Sequence, residues 1–260
     1  VDEELIKEGV AFMNKAHAAR KPFFAWFATT RMHTFTRVPE QYRDKVKRHT
    51  SFHDDYGAGI IQHDEHVGMV LKQLDEMGIA DNTIVIYSTD NGVEHSTYPH
   101  GGTTPFRSEK MTTWEGGVRV PMLVRWPGRI PAGSERNGIQ SHEDVFTTLS
   151  AAAGVPDIRE RIAKGDKLGT AVEHKNYIDG VNNLEYWRGT AEESARDEYI
   201  YYAESRIQAI RMNQWKAHFL TRDGYYGSTT KLDLAWLFNV HQDPYESYDQ
   251  APGPRATLTQ

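Results

Sequence analysis

Residues 83–92 read T-I-V-I-Y-S-T-D-N-G, and this stretch decides how we interpret the fold. An apolar, β-branched run of strand length ends in Asp90 and Asn91, and a Gly-rich polar loop follows. Such a run is typical of a strand buried on both faces, as in a parallel sheet covered by helices. In open α/β sheets, ligands bind beyond the carboxyl ends of strands, so Asp90 and Asn91 occupy a position suited to a binding site. Asp-Asn-Gly is also a common turn signal, and turn chemistry alone would account for these residues.

Two further apolar runs predict strands on either side of this one along the chain. They cover residues 22–29 (P-F-F-A-W-F-A-T) and residues 118–126, which Pro127-Gly128 closes. Helical patterns separate the strands: an N-terminal helix with acids in its first turn, a helix over about 52–77, and a helix from Ser141 to Gly154. Strands separated by helices predict an α/β fold with a mostly parallel sheet flanked by helices.

The C-terminal part of the chain has a different pattern. A polar connection runs from about 163 to 190 and holds a short helix near 180–189. Short segments of alternating polarity follow, which predict a small antiparallel sheet; they cover residues 198–203, 207–212, 215–220 and 235–240. We therefore expect an α/β domain over residues 1–162, and a connection with a small antiparallel subdomain over residues 163–260.

Composition narrows the class of protein. The 260 residues include 30 basic and 36 acidic side chains, a formal charge of −6, and no cysteine. This charge balance predicts no basic surface of the kind that binds nucleic acid. The lack of cysteine excludes disulfides, thiolate metal sites and a cysteine nucleophile. The sequence contains no apolar run of about 18 residues, so it predicts no membrane-spanning helix. Because Val1 opens directly onto a helical pattern, without a signal peptide, we expect the sequence to be a piece of a longer chain.

Several segments together resemble a known family. The succession T-D-N-G, P-H-G-G-T-T-P-F-R-S-E-K, T-T-W-E-G-G-V-R-V-P and R-W-P-G resembles the type I sulfatases, the formylglycine-dependent branch of the alkaline phosphatase superfamily. The segments M-H-T-F-T-R-V-P, S-H-E-D-V-F-T-T-L-S-A-A-A-G-V-P and L-F-N-V-H-Q-D-P-Y-E are also similar to sulfatase segments. The resemblance covers nearly all of this chain but only the C-terminal half to two-thirds of a whole sulfatase. It implies an alkaline-phosphatase-like α/β fold and hydrolysis of a small-molecule or carbohydrate sulfate ester.

The resemblance also implies roles for four residues. Asp90 and Asn91 match two metal ligands, and their oxygens are hard donors suited to Ca²⁺ or Mg²⁺. Lys110 matches a lysine that contacts the sulfate, where an ammonium would offset charge on the leaving and equatorial oxygens. His33 matches a histidine that binds the sulfate or assists the leaving group, since imidazole serves as acid or donor near neutral pH.

Other histidines carry weaker signals. His63 and His66 are three residues apart, whereas two zinc ligands of the zincin type lie four apart on a helix, so we expect a solvated helix face. His95 and His100 lie in the loop between the motifs, where they could line a substrate entrance, although loop histidines are usually exposed. His142 could hydrogen-bond to a metal ligand and so orient that ligand.

Three further positions have two interpretations or a structural one. Asp144 fits a supporting role behind the ligands or the capping of its own helix. Arg107 either reaches a substrate anion or forms a surface salt bridge. Trp114 and Trp126 are expected to pack beneath the loops.

The nucleophile of the family has no counterpart here. Formylglycine is made from Cys or Ser in a C/S-x-P-x-R motif, and no such motif occurs in the sequence. We therefore expect formylglycine in a segment preceding Val1, and this chain alone to be inactive. Two alternatives remain: a phosphoesterase or phosphonate hydrolase of the same superfamily, and a non-catalytic anion-binding fragment. The sequence leaves open which sulfate ester is used, the oligomeric state, and the location, for which the resemblance suggests the periplasm or secretion.

Overall fold

The computed structural model describes residues 1–47, 54–98, 101–102, 104–165, 167 and 175–251. The chain divides into two compact units, Val1–Val85 with Glu94–Thr103 and Ile86–Val93 with Thr104–Gln260. The first unit is helical, and the second holds the larger sheet. None of the helices in the described ranges has an apolar stretch of the length that a membrane span requires.

Three helices build the first unit. They are α1 (Asp2–Ala18), α2 (Glu40–Val46) and α3 (Asp55–Glu76), and a 3₁₀ turn over Ala80–Asn82 follows them. Acidic residues fill the first turn of α1, where they complement the helix dipole. The Asp54 carboxylate accepts a hydrogen bond from the Gly57 amide and so caps α3. The helices expected at both places are confirmed, and α2 was not predicted; Phe52, near the expected start of α3, lies outside the described residues.

The core of the first unit forms where α2 meets α3. Val38, Tyr42 and Val46 pack on Ala58, and partly buried Ile61 covers the cluster. The apolar stripe expected on α3 is therefore only partly right. Its most buried positions include polar side chains as well as Leu74, while Ile60 is exposed.

The strand expected over residues 22–29 is absent. Residues 21–30 have no regular structure, although half-buried and exposed residues alternate along them with the two-residue period of extended backbone. The aromatic side chains of Phe24 and Trp26 are 70% and 84% exposed. An extended segment becomes a strand only when a neighbour pairs with its backbone, and among the described residues no strand lies beside this one.

A two-stranded sheet places the polar loops of the second unit. Strand β1 (Val85–Ser88) lies beside β2 (Met122–Arg125), and the helical turn α4 (Glu115–Val118) lies between them in the sequence. The strand expected over 83–89 is confirmed in its central part. The one expected over 118–126 is too long, because Val118 closes the helical turn instead and Pro121, which lacks an N–H, precedes β2.

Three helices follow β2: α5 (Glu143–Ala152), α6 (Ile158–Lys164) and α7 (Leu184–Arg188). Left-handed Gly165 and Gly189 end the last two helices, at φ of 94° and 81°. The predictions of α5 and α7 are confirmed within a few residues, whereas α6 was not predicted.

The C-terminal sheet has four antiparallel strands in sequence order. They are β3 (Glu198–Ala203), β4 (Arg206–Met212), β5 (Trp215–Thr221) and β6 (Thr230–Asn239). The tight turn between β4 and β5 contains Asn213 at a φ of 49°. The predicted segments are confirmed, and β6 is longer than expected. The fold is therefore α/β with a C-terminal antiparallel sheet.

Candidate active site

Asp90 and Asn91 lie directly beyond the end of β1. The side-chain nitrogen of Asn91 donates a hydrogen bond to the Gly92 carbonyl at 2.8 Å. Oδ1 of Asn91 therefore remains as the side-chain atom that could bind a metal. The Asp90 side chain is exposed, and no contact with the described residues holds its carboxylate in a hydrogen bond or ion pair. The pair therefore offers two side chains with hard oxygen ligands at the strand end.

Gly92 lies where two backbone segments meet. Its amide donates to the Gly117 carbonyl at 2.9 Å. A Cβ atom at position 92 would lie only 1.8 Å from the carbonyl oxygen of Gly116, so no other residue fits without moving that backbone. The glycine in T-D-N-G therefore allows the Asp90–Asn91 loop to lie against the Gly116–Gly117 turn.

The backbone of Lys110 is hydrogen-bonded to the same loop. Its amide donates to the Val93 carbonyl at 2.7 Å, two residues beyond Asn91. The half-buried side chain forms no hydrogen bond or ion pair within the part of the chain that the structure describes. Ser108 and Met111, on either side, have left-handed φ angles of 66° and 72°. Such backbone costs about 1–3 kcal/mol per residue and is concentrated at functional sites.

The two glycines of W-E-G-G support the loop that carries Lys110. The Gly116 amide donates to the Arg107 carbonyl at 2.8 Å. A Cβ atom at Gly116 would lie 2.3 Å from the Arg107 oxygen, and one at Gly117 would lie 2.4 Å from the Thr112 oxygen. Both glycines are therefore needed for the close approach of the loop to α4.

A buried ionic cluster joins α4 to the C-terminal sheet. The Lys216 ammonium on β5 lies 3.0 Å from a Glu115 carboxylate oxygen and 3.2 Å from one of Glu246. Glu246 also accepts from His218 Nε2 at 2.7 Å and from the Glu115 amide at 2.6 Å. Arg211 lies 3.6 Å from the second Glu115 oxygen. Four of these side chains are buried: Glu115, Lys216, His218 and Glu246. Because water does not solvate them, each charged group is stabilised by its partners in the cluster.

The cluster shifts the pKa of its members. Burial disfavours the charged ammonium, but the neighbouring Glu115, Tyr201 and Glu246 prevail, so the pKa of Lys216 is raised. Burial lowers the pKa of His218 below 6.5, against the hydrogen bond with Glu246. Burial also opposes ionisation of Glu246, but His218 and Lys216 outweigh it and lower the pKa of that carboxyl. At neutral pH the cluster therefore holds a neutral His218 and an ionised Glu246.

Arg107 and Trp114 complete this support. The Arg107 guanidinium stacks on the Trp114 indole, with its carbon 3.7 Å from the ring centroid. It also donates to the Glu246 carbonyl at 3.0 Å and lies 3.7 Å from the Asp223 carboxylate. Of its two interpretations, the structure favours the salt bridge. Trp114 is fully buried, as expected. Trp126 is half-buried, and the guanidinium carbons of Arg129 and Arg188 lie 5.9 Å and 5.5 Å from its ring centroid.

In the first unit, the start of α1 holds the loop that carries His33. The buried Asp2 carboxylate accepts from the Thr30 amide at 3.0 Å, the Thr30 hydroxyl at 2.8 Å and the Arg31 amide at 3.2 Å. Burial opposes ionisation, but these hydrogen bonds and the Arg31 charge outweigh it and lower the pKa of Asp2. The Arg31 guanidinium donates to Gln62 Oε1 through two nitrogens. The backbone before His33 is therefore held at several points.

The His33 ring is exposed beside a small open pocket. Its Nδ1 lies 2.8 Å from the Thr34 carbonyl. Since a carbonyl can only accept, Nδ1 carries the proton and Nε2 remains to accept a proton or, once protonated, to donate. The pocket has a volume of about 380 Å³ and is lined by residues 29–31 and 33–36.

The remaining sequence candidates have structural explanations. His66 is 1% exposed and neither of its ring nitrogens has a hydrogen-bond partner among the described residues, so the solvated face expected there is wrong. Helical spacing alone could not show this, because the buried face of α3 is partly polar. His142 Nε2 lies 3.2 Å from the Ser88 hydroxyl, and buried Asp144 pairs with Arg196. His95 is half-buried. His100 lies outside the described residues.

The ionic cluster was not predicted from the sequence. Its signal was the inverted polarity of β5, where Lys216 and His218 are buried while Trp215 and Phe219 face solvent. Two polar side chains at alternate positions of a strand lie on one face. A strand face that carries Lys216 and His218 can be buried only where partners such as Glu115 and Glu246 pack against it and form ion pairs or hydrogen bonds.

Comparison with known proteins assigns the family. The sulfatase family model matches residues 1–155, and the model of the C-terminal region of aryl-sulfatase matches residues 194–257. The chain therefore belongs to the sulfatase family, and its fold is alkaline-phosphatase-like. This family implies a metal ion and formylglycine in general.

Similar proteins include enzymes with named substrates. The chain is 31% identical to N-acetylgalactosamine-6-sulfatase of Canis lupus familiaris over 83% of the chain and 38% of that protein. It is 30% identical to steryl-sulfatase of Mus musculus over 98% of the chain and 40% of that protein. The chain thus spans about two-fifths of the length of these curated relatives.

Solved structures show the same fold. The PsFucS1 sulfatase from Pseudoalteromonas sp. has a TM-score of 0.83 at 26% identity, covering 99% of this chain and 51% of its own. Ps i-CgsB, in complex with k-i-k-neocarrahexaose, has a TM-score of 0.76 at 27% identity, covering 100% of this chain and 52% of its own.

The donor set at β1 fits part of a metal site. A carboxylate and an amide oxygen are the ligand types that Ca²⁺ and Mg²⁺ take. No group of three or more His, Cys, Asp or Glu side chains that could hold a metal occurs among the described residues. Since Ca²⁺ takes six to eight oxygen ligands, Asp90 and Asn91 can supply only part of the coordination.

Proposed function

We propose that this chain supplies the metal- and sulfate-binding part of a sulfuric ester hydrolase. The observation that carries the proposal is the hydrogen bond from the Lys110 amide to Val93, which fixes Lys110 to the loop of Asp90 and Asn91. Two oxygen-bearing side chains, and a cation that has no partner among the described residues, then lie on backbone segments joined by a hydrogen bond. This combination suits a divalent metal and an oxyanion ester.

Each of the four proposed site residues has a role that follows from the chemistry of its side chain. Asp90 and Asn91 hold Ca²⁺, or Mg²⁺, through oxygen, and the metal supplies charge stabilisation to the sulfate when bound. The Lys110 ammonium donates to a sulfate oxygen and stabilises negative charge that develops as the ester bond breaks. His33 binds the sulfate or, protonated at Nε2, gives its proton to the leaving oxygen.

We propose a sulfated carbohydrate as the substrate class. One relative is named for N-acetylgalactosamine 6-sulfate, and one solved neighbour holds an oligosaccharide. The steryl-sulfatase match makes a steroid sulfate the second class to test. Covalent turnover requires formylglycine, so we expect the chain alone to bind sulfate and calcium but not to hydrolyse an ester.

Calorimetry of the purified chain tests the binding roles. Titration with sulfate in the presence of calcium is expected to show binding that Lys110→Ala abolishes, because the ammonium that would donate to the sulfate is removed. The fold should be kept, since the Lys110 side chain has no partner among the described residues. Lys231→Ala, at an exposed position of β6, is the matched control and should bind like the unaltered chain. Equal sulfate affinity in Lys110→Ala would refute the assignment.

Two further titrations separate the alternatives. Asp90→Asn should weaken calcium binding, because it replaces a charged ligand with a neutral one. Phosphate that binds much more tightly than sulfate would favour a phosphoesterase. In a chimaera that joins this chain to the formylglycine-bearing half of a sulfatase, Lys110→Ala should lower turnover of a sulfate ester by about 10²–10³-fold.

A further inference from the structure

The loop between β5 and β6, residues 222–229, is fixed to the residue next to Lys110. The Tyr225 amide donates to the Glu109 carboxylate at 2.9 Å. Gly224 lies against the same carboxylate, since a Cβ atom there would be 3.1 Å from Glu109 Oε1. The position of the 222–229 loop is therefore coupled to the backbone that presents Lys110.

Further contacts hold the loop from behind. The indole nitrogen of buried Trp114 donates to the Arg222 carbonyl at 3.0 Å. The Arg222 guanidinium donates to the Tyr225 carbonyl, and the Gly227 amide closes a turn on the Gly224 carbonyl at 3.0 Å. A backbone tied at this many points loses little conformational freedom when a ligand binds to it.

An aromatic side chain projects from this fixed loop. Tyr226 is 82% exposed, and its ring packs edge to face on half-buried Tyr225, with centroids 4.9 Å apart. Tyrosine offers a large rigid surface with a polar hydroxyl at low entropic cost. Folding of the described residues leaves most of this surface without a contact.

We propose that Tyr226 is a stacking platform for a sugar ring of a sulfated oligosaccharide, one or more units away from the sulfated ring held at Lys110. This inference rests on the proposed function and extends it from a sulfate ester to an oligosaccharide. An open, solvated ring suits a hydrophilic ligand that keeps one face in water. A steroid or aryl group instead requires an enclosed pocket that buries most of its surface.

The test compares a short and a long ligand on the intact chain in the presence of calcium. The probes are N-acetylgalactosamine 6-sulfate and a chondroitin 6-sulfate hexasaccharide. Tyr226→Ala is expected to weaken hexasaccharide binding by about tenfold and to leave the monosaccharide affinity within about twofold. Tyr226→Phe, which keeps the ring, should bind the hexasaccharide like the unaltered chain. Tyr177→Ala removes another exposed tyrosine of the second unit and is the matched control.

Three results would overturn the inference. In the first, Tyr226→Ala does not change the affinity for the hexasaccharide. In the second, the unaltered chain does not bind the hexasaccharide at millimolar concentration. In the third, Tyr226→Ala weakens binding of 4-nitrophenyl sulfate but not of the hexasaccharide, which would indicate that Tyr226 contacts an apolar leaving group. Failure of the proposed function is distinguishable. In that case Lys110→Ala binds both sulfated probes normally, while Tyr226→Ala still loses affinity for the hexasaccharide.

Discussion

Replacing Lys216 by Met tests whether the buried ionic cluster stabilises the second unit. The ammonium lies 3.0 Å and 3.2 Å from two carboxylates and is fully buried. At an effective dielectric constant of about 20, each contact contributes about 5 kcal/mol of attraction, which is opposed by several kcal/mol of desolvation. Methionine keeps the length of the side chain but leaves Glu115 and Glu246 with one fewer cation. Breaking a buried pair in this way costs about 3–5 kcal/mol.

Urea unfolding followed by circular dichroism measures this loss. For a domain of this size, 3–5 kcal/mol corresponds to about 10 °C in melting temperature. Lys231→Met, at an exposed position of β6, is the control and should change the free energy of unfolding by less than about 0.5 kcal/mol. Adding Glu246→Gln to Lys216→Met should restore part of the loss, since Lys216 is the cation beside that carboxylate and its His218 partner is neutral. A loss below about 1 kcal/mol in Lys216→Met would refute the argument.

Two further predictions concern acid and glycine. Because burial lowers the pKa of His218 below 6.5 and its partners lower that of Glu246 below 4.5, the unfolded state binds more protons in acid. The free energy of unfolding should therefore fall as pH drops below 6.5 and further below 4.5; His218→Gln should flatten the first part of a urea-midpoint titration, and an unchanged slope would contradict this. Gly92→Ala should cost at least about 2 kcal/mol by urea unfolding, because its Cβ would lie 1.8 Å from the Gly116 oxygen. The control Gly68→Ala, in open space on α3, should stabilise by about 0.5–1 kcal/mol, and equal effects would refute the steric argument.

Local pattern was sufficient to predict elements whose neighbours are close in the sequence. Strand β3 has the bounds that its alternating polarity predicted, and its partner β4 begins three residues after it ends. The segment over 22–29 has an equally clear strand pattern but no strand neighbour among the described residues. Pattern shows that a segment can be extended, whereas pairing depends on what lies beside it.

The candidate site was predictable to the same degree. The position of Asp90 and Asn91 beyond β1 followed from one strand and its end. The support of Lys110 did not, because it depends on contacts such as Glu115 with Lys216, which are 101 positions apart. The metal and sulfate roles of Asp90, Asn91, Lys110 and His33 remain predictions.

The motif T-T-W-E-G-G can be understood as support for the Lys110 loop rather than as chemistry. Gly116 and Gly117 allow the loop to approach α4, and Glu115 anchors α4 to Lys216 in the buried cluster. Ser108 and Met111 hold unfavourable backbone on both sides of Lys110, at a cost of about 1–3 kcal/mol each. The position of Lys110 therefore depends on the C-terminal sheet, so a substitution in β5 should loosen the Lys110 loop as well as destabilise the fold.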